Sequence, residues 1–242
     1  MVLAQSGFAP AGELKLYSTI GVQGVVEELV PDFEKDTGNR ITPIWSTAAI
    51  LVKRIEAGEA GDLYILTRSG VDALVKDGKI AAGSEVTLAG SGIVVAVKAG
   101  APRPNISTPD ALKQAMLNAK SIAYSDPAAG GASGVYFASL LDRLGIAEAM
   151  KSKTKHPPPG GNSADLLLTG EAELAVQQKP EIMYAKGVDV IGTLPGDLNS
   201  ITVFAAGIAP DSKNAEAAKL FIKMLRSPAA AAVFRSKGLD PS

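Results

Sequence analysis

Short runs rich in β-branched and other apolar residues alternate with segments of helical period along almost the whole chain. That order implies parallel strands with helices packed on both faces of a sheet, an α/β fold. Leu14-Lys15-Leu16-Tyr17 reads as the first strand, and the helix after it sets Val22, Val25, Val26, Leu29, Val30 and Phe33 on one face. Pro31 should kink or shorten that helix, because it lacks the N–H of the helical bond. Further strands are expected at Arg40–Trp45, Asp62–Leu66, Ile93–Val97, Ile122–Tyr124, Ala175–Gln177, Val188–Ile191 and Ile201–Ile208. Between them, one helix turns Leu51 and Ile55 inward, and another opens at Ser69 with Asp72 as a weak capping box and Gly78 as its stop. Thr108-Pro109-Asp110 starts a third in the order cap, proline, acid. A helix carrying Ala217, Leu220, Phe221, Met224 and Leu225 stops at Ser227-Pro228, and a last short one ends at Gly238. His156-Pro157-Pro158-Pro159-Gly160-Gly161 breaks helix and strand alike and is expected as a stiff exposed turn.

At 242 residues the chain suggests two lobes rather than one core. Its 46% hydrophobic and 20% charged residues are ordinary for a soluble globular protein. Lys and Arg total 24 against 25 Asp and Glu, with no basic stretch interleaved with aromatics, so nucleic acid is not expected as a partner. The absence of Cys removes disulfides, thiolate metal sites and a Cys nucleophile together. No apolar run approaches the length of about 18 residues that a membrane helix needs. Residues 1–11 read as a flexible lead-in, in which Val2-Leu3-Ala4 before Gln5 is either the remnant of a signal peptide or a cloning start.

The usual catalytic patterns are missing. The single histidine, His156, stands beside three prolines, which suits a structural role better than a relay or a metal site. Ser133, in Gly130-Gly131-Ala132-Ser133-Gly134-Val135, lacks the last glycine of a nucleophile elbow. Gly78-Lys79 is followed by Ile80, so there is no P-loop, and no G-x-G-x-x-G follows a strand. A chain with no catalytic residue, metal or cofactor is expected.

What recurs is a small hydroxyl or amide at strand-to-helix junctions: Ser18-Thr19, Ser46-Thr47, Ser133 and Asn162-Ser163. Each such residue alone is a routine helix cap. Two in each half of the chain point instead to a shared cleft. There helix N-termini present free N–H groups and the positive dipole end to an anion, beyond the carboxyl edges of the strands.

From residue 12 onward the sequence resembles the molybdate-binding members of the type II periplasmic binding proteins. The resemblance rests on Leu14-Lys15-Leu16-Tyr17-Ser18-Thr19; on Ser46-Thr47 with Arg54-Ile55-Glu56-Ala57-Gly58 and Gly61-Asp62-Leu63-Tyr64-Ile65; on Ser125-Asp126-Pro127 with Ala132-Ser133-Gly134-Val135-Tyr136; and on the tail from Phe221 to Gly238. It implies two α/β lobes, 12–88 with 201–242 and 89–200, joined by two crossing strands. It further implies a monomer outside the cytoplasm, in the periplasm, that traps a small anion and passes it to an ABC-type membrane permease. The alternative within the same fold is a ligand-sensing domain acting on a receptor or regulator.

Ligand positions carried over from that family fall near Ser18 to Gly21, at Thr47 or Ala48, at Ser133, at Asn162 and at Gln178. The departures are specific. Ile20-Gly21 stands where the family has its first serine, the second motif is thinned to Ser46-Thr47-Ala48-Ala49, and Gln178 replaces a tyrosine. Side-chain amides at Asn162 and Gln178 both donate and accept, which favours a carboxylate over a tetrahedral oxyanion that only accepts. Arg68, just past a strand end, is a candidate fork for that carboxylate.

Overall fold

The structure, a computed structural model, describes residues 12–242, so the expected lead-in over 1–11 lies outside the described residues. Two sheets form two lobes. The first half of the chain contributes β1 (Glu13–Thr19), α1 (Gln23–Thr37), β2 (Arg40–Ser46), α2 (Ala48–Glu56), β3 (Leu63–Thr67), α3 (Arg68–Lys76) and β4 (Val86–Ser91). After the single residue Gly92 come β5 (Ile93–Lys98), α4 (Pro109–Asn118), β6 (Ile122–Tyr124), α5 (Ala132–Arg143), α6 (Ala147–Lys151), β7 (Thr154–Lys155), α7 (Ser163–Leu168), β8 (Leu174–Gln178), α8 (Lys179–Tyr184) and β9 (Val188–Thr193). The chain then returns with β10 (Thr202–Ile208), α9 (Ala215–Leu225), α10 (Pro228–Ser236) and β11 (Asp240–Pro241).

The first sheet runs β11-β4-β10-β3-β1-β2 and the second β7-β6-β8-β5-β9. The strands that alternate with helices, β1, β2 and β3 in one lobe and β6, β7 and β8 in the other, pair in parallel. The strands flanking the crossings pair antiparallel, β10 with β3 and β4, and β5 with β8 and β9. Each sheet is therefore mixed rather than wholly parallel. We place the lobe limits at the crossings, Gly92 and residues 194–201.

Side-chain alternation along the strands builds one core on each face of each sheet. Leu63 and Ile65 of β3 pack with Val25, Phe33, Phe221 and Phe234, while Tyr64 and Leu66 pack with Leu51, Ile55, Val71 and Leu74. In the second lobe Ile93, Val95 and Val97 face Leu112, Phe137 and Leu140, and Val94 and Ala96 face Ala164, Leu167 and Ile182. A period of two with apolar residues on both faces marks a strand covered by helices on both sides.

Two local expectations are corrected. α1 runs 15 residues and is not shortened at Pro31. The proline sits on the exposed side, and burial of Val25, Val26, Leu29 and Phe33 outweighs one missing hydrogen bond. α3 opens at Thr67 rather than Ser69: the Thr67 hydroxyl accepts from the Gly70 N–H at 3.3 Å, and Asp72 pairs with Arg68 instead of capping.

Candidate ligand site

The carboxyl ends of the parallel strands in both lobes face one another across a narrow cleft of about 30 Å3. Lobe one lines it with Thr19, Ile20, Thr47, Ala48, Thr67, Thr202 and Phe204. Lobe two supplies Ser125, Asp126, Ala129, Gly131 to Ser133, Pro157 to Gly161, Gln178 and Glu181.

Five helical N-termini reach this space. Thr19 precedes the short 3-10 turn that leads into α1, and Thr47, Thr67, Gly131 and Gln178 are the N-cap residues of α2, α3, α5 and α8. The first turn of a helix leaves its N–H groups without intrahelical acceptors and carries the positive dipole end. Thr47 accepts from the Ile50 N–H at 3.4 Å and donates its own proton across the cleft to the Ala129 carbonyl at 2.9 Å. The start of α5 is drawn close because Gly134 has no side chain: a Cβ there would stand 2.1 Å from the Ser125 carbonyl oxygen. That contact sets Ser133, 2% exposed, at the cleft wall.

Among the described residues that line the cleft there is no Lys, Arg or His, and the titratable groups are two acids. Asp126 caps a 3-10 turn, its Oδ1 accepting from the Ala128 N–H at 2.9 Å. Glu181 is different. Burial pushes its carboxyl up to about 7, against the smaller opposing effect of an amide hydrogen bond from Gln177. The Gln177 Oε1 in turn accepts from the Ser163 N–H at 2.7 Å and the Ser163 hydroxyl at 2.5 Å.

Of the expected site residues, Thr19, Thr47, Ser133 and Gln178 line the cleft. Five others do not. Ser18 is fully buried and donates to the Thr19 carbonyl, and Ser46 lies at the end of β2 away from the lining. Arg68 points out of the cleft, because Asp72 one helical turn on holds its guanidinium at 2.8 Å. Asn162 caps α7 through its Oδ1 and donates its amide to the Glu181 carbonyl at 2.5 Å. Ser163 is committed to Gln177.

Gln178 lines the cleft but its amide is engaged elsewhere. With its oxygen accepting from the Thr202 hydroxyl at 2.5 Å, its nitrogen donates to the Ser91 and Gly92 carbonyls at 3.1 and 3.2 Å. It therefore ties the two crossings together. Asn162 does not line the cleft and the Gln178 amide is engaged, so the amide argument for a carboxylate falls. The proline turn is exposed at His156, Pro158 and Pro159, as expected, but Pro157 is buried and Pro157 to Gly161 form a wall of the cleft, while His156 Nδ1 bonds to the Tyr124 carbonyl at 2.9 Å.

The residues missed from sequence are Thr67, Ser125, Pro157 to Gly161, Glu181 and Thr202. One signal was available: Gln178-Lys179-Pro180-Glu181 repeats the cap, proline, acid order seen at Thr108-Pro109-Asp110.

Residues 14–240 match the family of bacterial extracellular solute-binding proteins. The chain belongs to that family. Among its relatives, an aconitate isomerase from a Pseudomonas sp is 32% identical over 238 residues, covering 96% of this chain and 89% of that protein. The molybdate-binding protein ModA of Escherichia coli (strain K12) is 24% identical over 238 residues, covering 98% and 92%. The periplasmic molybdate-binding protein of Azotobacter vinelandii superposes with a TM-score of 0.75 at 19% identity, covering 93% of this chain and 98% of that one. The fold is thus the two-lobed α/β fold of type II periplasmic binding proteins. No helix among the described residues is long and apolar enough to cross a membrane. For a solute-binding protein of this family the cleft is chemically clear: neutral hydroxyls and N–H groups converge from both lobes, with one high-pKa carboxyl among them.

Proposed function

We propose that the chain captures a small organic polycarboxylate in the interlobe cleft, outside the cytoplasm, and as a monomer delivers it to an ABC-type permease. The observation that carries this reading is the convergence of five helical N-termini and the hydroxyls of Thr19 and Ser133 on one cleft without a cationic side chain. Fixed dipoles and neutral donors can replace the hydration shell of an anion in such a cleft.

Similarity favours a carboxylate over a tetrahedral oxyanion, whereas Glu181, with a pKa of about 7, holds a proton over much of the neutral range and can donate it to either anion. The relative named as an aconitate isomerase is more similar, at 32%, than the molybdate-binding protein of Escherichia coli at 24%. An aconitate-like tricarboxylate is therefore the leading ligand class. A wholly non-catalytic chain, as the sequence suggested, is not part of this reading, because the 32% identical relative is named as an isomerase.

Calorimetric titration of the purified protein tests the ligand. Citrate and the cis and trans isomers of aconitate are titrated beside molybdate, tungstate and sulfate. At least one tricarboxylate should bind in the micromolar range, about −8 kcal/mol, and outcompete molybdate. Molybdate displacing every carboxylate at submicromolar concentration would restore an oxyanion receptor. Uptake of the labelled ligand by a strain lacking the gene should fall; unchanged uptake would remove the transport role.

A further inference from the structure

We propose that Glu181 is a catalytic acid–base residue, which moves a proton between two carbons of a bound unsaturated polycarboxylate and thereby shifts its double bond. This rests on the ligand class just argued and adds a reaction to it.

Glu181 lines the cleft on the lobe-two side with Gln178, and also the groove behind α8. Its Oε1 stands 3.5 Å from the place a Cβ on Gly21 of lobe one would occupy, so it reaches the junction between the lobes. The other oxygen, Oε2, accepts from the Gln177 amide, which Ser163 anchors through two hydrogen bonds, and the Glu181 carbonyl accepts from Asn162. One oxygen is thereby fixed and the carboxyl plane with it.

Nothing in the packing calls for an acid there. A glutamine would accept the same bond from Gln177, and no cation pairs with the carboxylate among the described residues. The charged and titratable groups around it are Asp126 within the cleft and Asp165, Tyr184 and Lys186 in the groove behind α8. Burial pushes Glu181 up to about 7, which suits a group that must both take and return a proton near neutral pH.

The ligand class supplies a methylene flanked by a carboxylate and a carbon–carbon double bond. The ionised Glu181 takes one methylene proton: that C–H bond breaks, an O–H bond forms, and the released pair becomes the new C=C bond. The old C=C pair moves to its far carbon and into the carboxylate attached there. Glu181 then returns the proton to that far carbon, forming a C–H bond and restoring the carboxylate. No oxidant, reductant or water is consumed. Charge that builds on the substrate carboxylate meets the N–H groups at the start of α5 and the hydroxyl of Ser133, donors already in place.

The test follows cis- and trans-propene-1,2,3-tricarboxylate by proton NMR with the full chain, beside a separate binding titration. The wild type should interconvert the isomers, with kcat/KM rising through an ionisation near pH 7 and a slower rate when the methylene is deuterated. Glu181→Gln, checked for folding by thermal denaturation, should lower kcat at saturating substrate by about 100-fold or more. Binding without interconversion overturns the proposal and leaves the receptor reading standing. Interconversion that persists in Glu181→Gln overturns the role of this residue. Absence of both binding and turnover overturns both readings.

Discussion

The Thr47 hydroxyl and the Ala129 carbonyl, 82 residues apart in sequence, are joined at 2.9 Å across the mouth of the cleft. One hydroxyl thus caps α2 and links the lobes. Thr47→Ala should cost about 0.5 to 2 kcal/mol through the lost cap alone. It should also increase the radius of gyration of the ligand-free protein in small-angle scattering, whereas Thr47→Ser should change neither. Equal behaviour of the two variants would show that the link does not hold the lobes.

Gly130 meets Ala49 on the opposite lobe, and a Cβ built on Gly130 would stand 2.4 Å from the Ala49 Cβ. Gly130→Ala should wedge the lobes and weaken ligand binding at least about tenfold, about 1.4 kcal/mol. Gly145→Ala is the control. Gly145 has a φ of 68°, close to the 70° of Gly130, but nothing lies within 4 Å of its Cβ position. It should share the backbone strain without the loss of affinity.

Ser133 and Arg68 separate a cleft donor from a surface charge. Ser133→Ala removes a hydroxyl donor to a buried anion, at about 1.5 to 3 kcal/mol for a hydrogen bond to a charged group, or roughly ten- to a hundredfold in dissociation constant. Arg68→Ala should leave affinity unchanged, because its partner is Asp72 outside the cleft. Titration of both variants against one ligand checks the contrast, and a large loss in Arg68→Ala alone would move the site.

Glu181 makes stability depend on pH in a fixed direction. Its carboxyl is raised from an ordinary 4.5 to about 7 in the folded chain, so the folded state keeps a proton that the unfolded state releases between those values. The associated stability is complete below about 4.5, declines as pH rises and is lost above about 7, by at most about 3 kcal/mol. Glu59 works the other way. Its hydrogen bond from Arg54 holds it down to about 2, so its contribution is present above the ordinary range and lost as pH falls. Urea denaturation at pH 5 and pH 8 should show Glu181→Gln gaining on the wild type at the higher pH. A constant difference between the two proteins would contradict a raised carboxyl.

The parts of the fold that sequence conveyed are those set by local pattern. β1 follows from an alternating run, β3 and β5 from continuous apolar runs, and α4 from Thr108-Pro109-Asp110. β4 was missed because Val86-Thr87-Leu88-Ala89-Gly90-Ser91 carries little strand signal of its own; it is a strand because β10 and β11 pair with it from either side.

The candidate site divides in the same way. Hydroxyls at helix starts were legible, but which of them face a ligand depends on partners far along the chain. Ser163 turns inward to Gln177, and Gln178 is drawn to the crossings by Ser91, Gly92 and Thr202. Glu181 went unread because its environment is made by tertiary burial, which no run of neighbouring residues displays.

The insertion of β10 between β3 and β4 has a consequence for the order of assembly. Every strand of the second sheet has been synthesised once residue 193 is added, whereas the first sheet lacks an interior strand until residue 208. The N-terminal strands must therefore remain unpaired on one side through most of synthesis, and long-range pairing of this kind is slow and prone to association with other chains. The lobe that begins the chain is the last to become complete.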